Sequence, residues 1–92
     1  MDKINNLNQT VELMISEDYK ERFIAEYAQL VIRISRLDKV LSNVINNKAP
    51  SCFKLSCPIE ILVNQWVNMK NYLSIMQERA FIENIDLPEV EI

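Results

Sequence analysis

The sequence predicts an all-α protein, an antiparallel two-helix coiled-coil hairpin carrying a short N-terminal helix. Three observations point there. Two long stretches repeat apolar residues at alternating spacings of three and four, the period of a helical seam. A polar break, Asn46-Asn47-Lys48-Ala49-Pro50-Ser51, separates them. Glycine is absent from all 92 residues, so folds that depend on glycine turns are disfavoured. This length supports one domain, spanning 1–92.

The first element is a short helix over 2–15. Ile4, Leu7, Val11 and Met14 recur at spacings of three, four and three, with Asn5, Asn6, Asn8 and Gln9 on the other face. Asparagine lowers helix propensity, so this helix needs a larger neighbour to pack on. Ser16-Glu17-Asp18 then marks a break and a new start. Ser16 or Asp18 can cap the exposed amides of the next helix, and the acids suit its positive end.

The first arm runs over 18–46. Its seam is Phe23, Tyr27, Leu30, Ile34, Leu37, Leu41 and Val44, held for about three heptads over roughly 43 Å. Pro50 cannot continue a helix, and the asparagines before it tolerate the left-handed conformation that ends one. The loop extends to about Ser56. Pro58 suits a first helical turn and Glu60 suits its dipole. The second arm, 58–84, carries Ile59, Leu62, Trp66, Met69, Leu73, Met76 and Ala80. Arms of matched length joined by a short loop fold back on each other. Leu37 is then expected opposite Trp66, and Phe23 opposite Ala80. The tail, 85–92, contains Pro88 and alternating acids and is expected to leave the helix and be mobile at its end.

Composition narrows the chemistry. Ten Lys+Arg against thirteen Asp+Glu give a formal charge of -3, with a pI near 4.9. A general nucleic-acid binder would carry a basic excess. The balance still allows a pocket for one anionic ligand, or an acidic face that docks on a basic protein. Histidine is absent, which removes the commonest general base and metal ligand. Without glycine there is no phosphate-cradling loop of the Walker or dinucleotide type. The serines have no histidine to activate them, and no carboxylate pair stands in an apolar setting. A non-enzymatic protein is expected, with no catalytic residue, no metal and no cofactor. Cys52 and Cys57, spaced C-x4-C, fall short of a four-ligand zinc site. In a reducing compartment they read as two small thiols near a turn, the other readings being zinc shared across an oligomer or a labile disulfide. No basic-then-apolar leader and no long apolar run occur, so the expected location is cytoplasmic, away from membranes.

The seam leaves apolar residues over: Ile24, Val31, Ile32 and Val40 on one arm, and Ile61, Val63, Val67, Ile75 and Phe81 on the other. The short first helix cannot cover them all, and uncovered apolar stripes mark partner surfaces. A homo-oligomeric bundle is the expected solution, against a three-helix monomer.

Two polar sets could carry binding. At the open end of the hairpin stand Tyr19, Lys20, Arg22 and Glu26 with Glu78, Arg79 and Glu83. They make either surface salt bridges such as Arg22–Glu83, or an anion pocket of Tyr19, Lys20, Arg22 and Arg79. In the pocket the arginines would grip phosphates and Tyr19 would stack on a base. Mid-hairpin, Arg33, Arg36 and Lys39 are expected to face Asn64, Asn68 and Asn71, as a solvated face or a secondary basic and amide patch. Trp66 lies on the seam and reads as core.

The run Asp18-Tyr19-Lys20-Glu21-Arg22-Phe23-Ile24-Ala25-Glu26-Tyr27, followed by Gln29-Leu30 and Arg33, has a recognisable set of spacings. It is joined by Cys57-Pro58 with Leu62, Gln65, Met69, Tyr72-Leu73, Glu78-Arg79-Ala80, Ile82-Glu83 and Ile85-Asp86-Leu87. Together, over about 18–87, they resemble a family of small proteins of tailed bacteriophages, crAss-like phages among them. The resemblance implies a phage accessory protein working in a bacterial cytoplasm, and implies no biochemical activity. In size, architecture and setting the chain is also similar to phage sponge proteins, helical-hairpin oligomers that hold nucleotide signals between protomers. Three functions are therefore expected candidates. The first is an anti-defence protein that sequesters a cyclic nucleotide or ADP-ribose-type immune signal without cleaving it. The second is an anti-CRISPR-like inhibitor that binds a host defence protein through the acidic positions Glu12, Glu17, Asp18, Glu21 and Glu26, with Glu89 and Glu91. The third is a structural phage accessory protein.

Overall fold

The computed structural model describes residues 3–48 and 54–91. Pro50, Ser51 and Cys52 lie outside them. A 3-10 turn at Leu7–Thr10 runs into a one-turn helix α1 (Val11–Met14), followed by the long helices α2 (Tyr19–Ile45) and α3 (Ile59–Glu83). The two arms pack on each other as the antiparallel hairpin that the seam predicts, in a body of 45 × 24 × 19 Å.

Both arms end where local chemistry says they should. The Asp18 side chain caps α2 by accepting from the Lys20 amide at 2.9 Å. Ser16 braces this start, its hydroxyl accepting from the Asp18 amide at 3.1 Å and donating to Glu21 at 2.9 Å. After Ile45 the chain turns through Asn47 at φ 56°, the left-handed conformation asparagine tolerates. Pro58 opens α3. Asn84, also left-handed, closes it, letting the Ile85 amide reach back to the Ala80 carbonyl at 2.9 Å.

Phe23, Leu30, Ile34 and Leu41 of α2 and Met76 and Ala80 of α3 are buried in the seam, with Tyr27, Trp66, Met69 and Leu73 partly buried beside them. A second face of α2 is buried as well, through Ile24, Ala28 and Ile32. Its cover is the N-terminal segment, whose Ile4, Leu7 and Leu13 join the same core.

This segment departs from the expected helix over 2–15. Helix begins only at Leu7, because Asn6 and Gln9 form a capping box in which each side chain bonds the other's backbone amide. The opening turn is 3-10, so every third residue points the same way. Leu7, Thr10 and Leu13 therefore face α2, whereas Val11 and Met14, expected on the inner face, are exposed. Thr10 is 0% exposed. Its hydroxyl donates to the Leu7 carbonyl at 2.7 Å and accepts from the Gln29 side-chain amide at 2.9 Å.

The tail is also not free. Ile85 and Pro88 are buried, and Ile4 and Val90 form an isolated parallel bridge. The Ile4 amide donates to the Glu89 carbonyl at 3.0 Å, and the Glu91 amide donates to the Ile4 carbonyl at 2.8 Å. Apolar residues at Ile85, Leu87 and Val90 hold the tail on the core, which overrides the mobility expected of a terminal segment.

The outer side of α3 has no such cover. Ile61 is 56% exposed, Ile75 57%, Ile82 68% and Phe81 86%, and Val67 and Tyr72 are also exposed. Of the leftover residues, Ile24 and Ile32 are thus covered, while most of those on α3 remain in solvent.

Candidate functional site

The first two turns of α2 set Tyr19, Arg22, Phe23 and Glu26 at spacings of three, one and three, on one side of the helix. The hairpin register brings Arg79 of α3 against them. These five residues line an open hollow of about 230 Å³. Tyr19, Arg22 and Arg79 of the expected pocket therefore share one hollow. Lys20 is exposed on α2 and does not line it.

Each cation is held differently. The Arg79 guanidinium lies over the Phe23 ring, 4.9 Å from its centre, and its Nε donates to Glu83 Oε2 at 2.9 Å. The other Glu83 oxygen accepts from the Tyr19 hydroxyl. Arg22 donates through Nη1 to the Ser16 carbonyl at 2.7 Å. The Arg22–Glu83 pairing does not form, because Arg79 sits one turn from Glu83 on the same helix and takes that carboxylate locally. Among the described residues Arg22 has no carboxylate partner. Its remaining guanidinium donors are available to a ligand.

The titrations follow this network. The Tyr19 hydroxyl, and then the Arg79 guanidinium, hold the Glu83 carboxyl below the usual carboxylate range. The same hydrogen bond raises the Tyr19 phenol. The neighbouring Glu26 carboxylate raises the Tyr72 phenol. The hollow thus presents cationic donors from Arg22 and Arg79, an acceptor at Glu26 and an aromatic ring at Tyr19. The seam assignment of Phe23 hid its second role as the platform that fixes Arg79.

The mid-hairpin set is less convergent. Arg33, Arg36 and Lys39 are exposed, and the Asn68 side-chain amide donates to the Asn64 main-chain carbonyl at 2.8 Å on its own helix. No hydrogen bond among the described residues joins those cations to Asn64, Asn68 or Asn71. Trp66 is half-buried, with Lys70 over its ring at 5.5 Å, and its buried indole N–H has no partner. It borders a groove of about 270 Å³ with Val31, Ile34, Ser35, Asp38, Lys70 and Leu73. Among the described residues, no helix is long and apolar enough to cross a membrane.

No curated protein and no solved structure matches the chain. A family model does: the Sequestin model matches residues 17–82. That span takes in both arms to within a residue of the end of α3 and every residue lining the hollow. It leaves out the N-terminal segment that covers α2. With well over half its length matched, the chain belongs to the Sequestin family.

Proposed function

We propose that this protein sequesters a small phosphate-bearing nucleotide signal and acts by mass action, lowering the free signal without cleaving it. The family name points to sequestration. The observation that carries the ligand class is the single hollow holding Tyr19, Arg22, Glu26 and Arg79. Arg22 and the terminal nitrogens of Arg79 donate to phosphate oxygens. Glu26 accepts from ribose hydroxyls, and Tyr19 offers a face to the base. The setting we propose is a phage anti-defence protein in the bacterial cytoplasm, directed at a cyclic nucleotide or ADP-ribose-type immune signal, with the chain acting as a homo-oligomer.

Calorimetry with a panel of cyclic dinucleotides, cyclic trinucleotides and cyclic ADP-ribose isomers tests this reading. One of them gives saturable heat and is recovered intact by mass spectrometry. Arg22→Ala weakens that binding by about 10- to 100-fold, the range for losing a charge-assisted contact. Heat from none of them rejects the reading and favours a protein target for the family's sequestering role.

A further inference from the structure

Charge is divided unevenly along the hairpin. Of the ten Lys+Arg and thirteen Asp+Glu in the chain, residues 31–70 hold six cations and two acids, leaving four cations and eleven acids for the rest. The loop half of a body 45 Å long is therefore cationic and the open half acidic. Arg33, Arg36, Lys39, Lys48, Lys54 and Lys70 are all exposed, and among the described residues none of them pairs with a carboxylate. The same half carries the Trp66 groove. A second hollow of about 160 Å³, lined by Asp38, Leu41, Ser42, Ile45, Val63 and Trp66, shares Asp38 and Trp66 with that groove. Together they make one apolar-walled groove from Val31 to Ile45 of α2, roughly 21 Å or about four helical turns long.

We infer that this groove is a docking site for an amphipathic helix with acidic flanks on another protein. The N-terminal segment shows what this face of α2 accepts. At the open end it lays Leu7 and Leu13 against the core, over a face that includes Ile24 and Ala28. Val31, Asp38 and Ile45 follow Ile24 at seven-residue steps, and Ser35 and Ser42 follow Ala28 in the same way. The groove therefore continues the covered face towards the loop, where Ser42 and Ile45 are exposed. Trp66, half-buried midway with a buried indole N–H that has no partner, has the profile of an interface anchor. Both walls are helices whose backbone groups are already bonded, so an added strand finds no edge and a helix is the form that fits. The cations set the sign of its flanks. Acids beside its apolar stripe meet Lys70 on one wall and Lys39, one turn from Ser35 and Ser42, on the other. Asp38, common to both hollows, calls for a hydrogen-bond donor at the centre of that stripe. A nucleic acid would satisfy the cations but leave the apolar walls bare and set phosphates against Asp38. Arg22 of the open-end hollow lies about 24 Å from Asp38 along α2, so this site stands apart from the nucleotide reading.

The probe is a synthetic peptide of about 14 residues, the length of the groove. It carries leucines at i, i+3, i+4 and i+7 spacings, a central asparagine and glutamates elsewhere, and a side-chain staple holds it helical. Its lysine analogue, a version with the leucines scattered and a short DNA duplex serve as comparisons. Trp66, the one tryptophan of the chain, reports binding by its fluorescence, and a dye on the peptide reports it by anisotropy. The glutamate peptide binds saturably, the lysine analogue binds about 10-fold more weakly or worse, and the scattered version does not bind. Lys39→Glu combined with Lys70→Glu, two exposed positions, keeps the helical circular dichroism and switches the preference to the lysine peptide. No saturable binding at about 100 µM peptide, equal binding of the two charged peptides, or a double variant that keeps the original preference each overturns the inference. So does duplex DNA that binds more tightly than the glutamate peptide, which makes the cationic half a surface for polyanions. Binding that is lost as the protein alone is concentrated assigns the groove to a second copy and overturns the inference as well. Arg22→Ala leaves peptide binding unchanged, so this test and the nucleotide panel fail independently.

Discussion

The open end and the loop end of the hairpin are made from the same two helices, yet they are buried to different depths. At the open end α2 buries Phe23, Ile24, Ala25, Ala28, Leu30, Ile32 and Ile34, and α3 buries Met76 and Ala80. Towards the loop, α2 buries only Leu41, and no residue of α3 before Met76 is buried. The seam repeats evenly along both arms, so the seam is not what differs. The difference is the third layer, made by the N-terminal segment and the docked tail, which reaches only the open end. Two helices alone half-bury their seam, and a third contact turns that into a core.

This contrast can be tested by substitution, starting with the largest effect. Met76 is 0% exposed, and Met76→Ala should cost about 2–5 kcal/mol. Leu41→Ala, in the thinner half, should cost about half as much. Chemical denaturation of the two variants measures the ratio, and equal costs would break the comparison. Next comes Thr10→Val, which removes the hydroxyl bridging the Leu7 carbonyl and the Gln29 amide and should cost about 1–3 kcal/mol. A change near zero would show that the N-terminal layer is held by apolar contact alone. Amide hydrogen exchange should then show faster opening over residues 38–45 than over 24–32, since local stability follows burial. Uniform protection would mean that something covers the loop end in solution, the Trp66 groove being the place to look.

Smaller effects concern the ends of α3. Asn84→Gly should be neutral or slightly stabilising at a left-handed position, while Asn84→Val should cost about 1–2 kcal/mol. Thermal midpoints separate the two. The pH dependence of the Glu83 network is the smallest effect, because Tyr19 and Arg79 are exposed and Glu83 is only half-buried. The Glu83 carboxyl is held below its ordinary range by Tyr19 first and Arg79 second, so the fold favours the charged form. Its contribution is therefore complete above the ordinary carboxylate range and is lost as pH falls through the lowered value. Tyr19 is raised by Glu83, so its contribution holds below the ordinary phenol value and is lost as pH rises through the raised one. Carboxyl and tyrosine resonances followed by NMR should move in these directions, and Glu83→Gln should abolish both.

The arms were legible in the sequence because everything that sets them is local. The heptad spacing, the Asp18 cap, the asparagines after Ile45 and Pro58 all act within a turn or two of where they stand. The register of the fold-back followed from matched arm lengths, and it brought Arg79 to Tyr19 and Arg22. The N-terminal segment departs from its expected helix because the pattern of that helix has a four-residue step between Leu7 and Val11. The 3-10 turn replaces that step with threes, and the signal was the spacing from Ile4 through Leu7 and Thr10 to Leu13. The docking of the tail is not legible locally, because its partner, Ile4, lies more than eighty residues away and no spacing rule reaches that far. In the hollow, the Arg22–Glu83 pairing failed for the opposite reason: a same-helix partner one turn away outcompeted a cross-helix one.

The bridge between Ile4 and Val90 has a mechanical consequence. Its two segments run parallel, so handles attached at the two termini would draw them along each other in opposite directions. Both of its hydrogen bonds would then carry the load together, in shear, where an antiparallel bridge would peel open one bond at a time. Under force, this small clasp is the first thing that must slide before any helix can unwind.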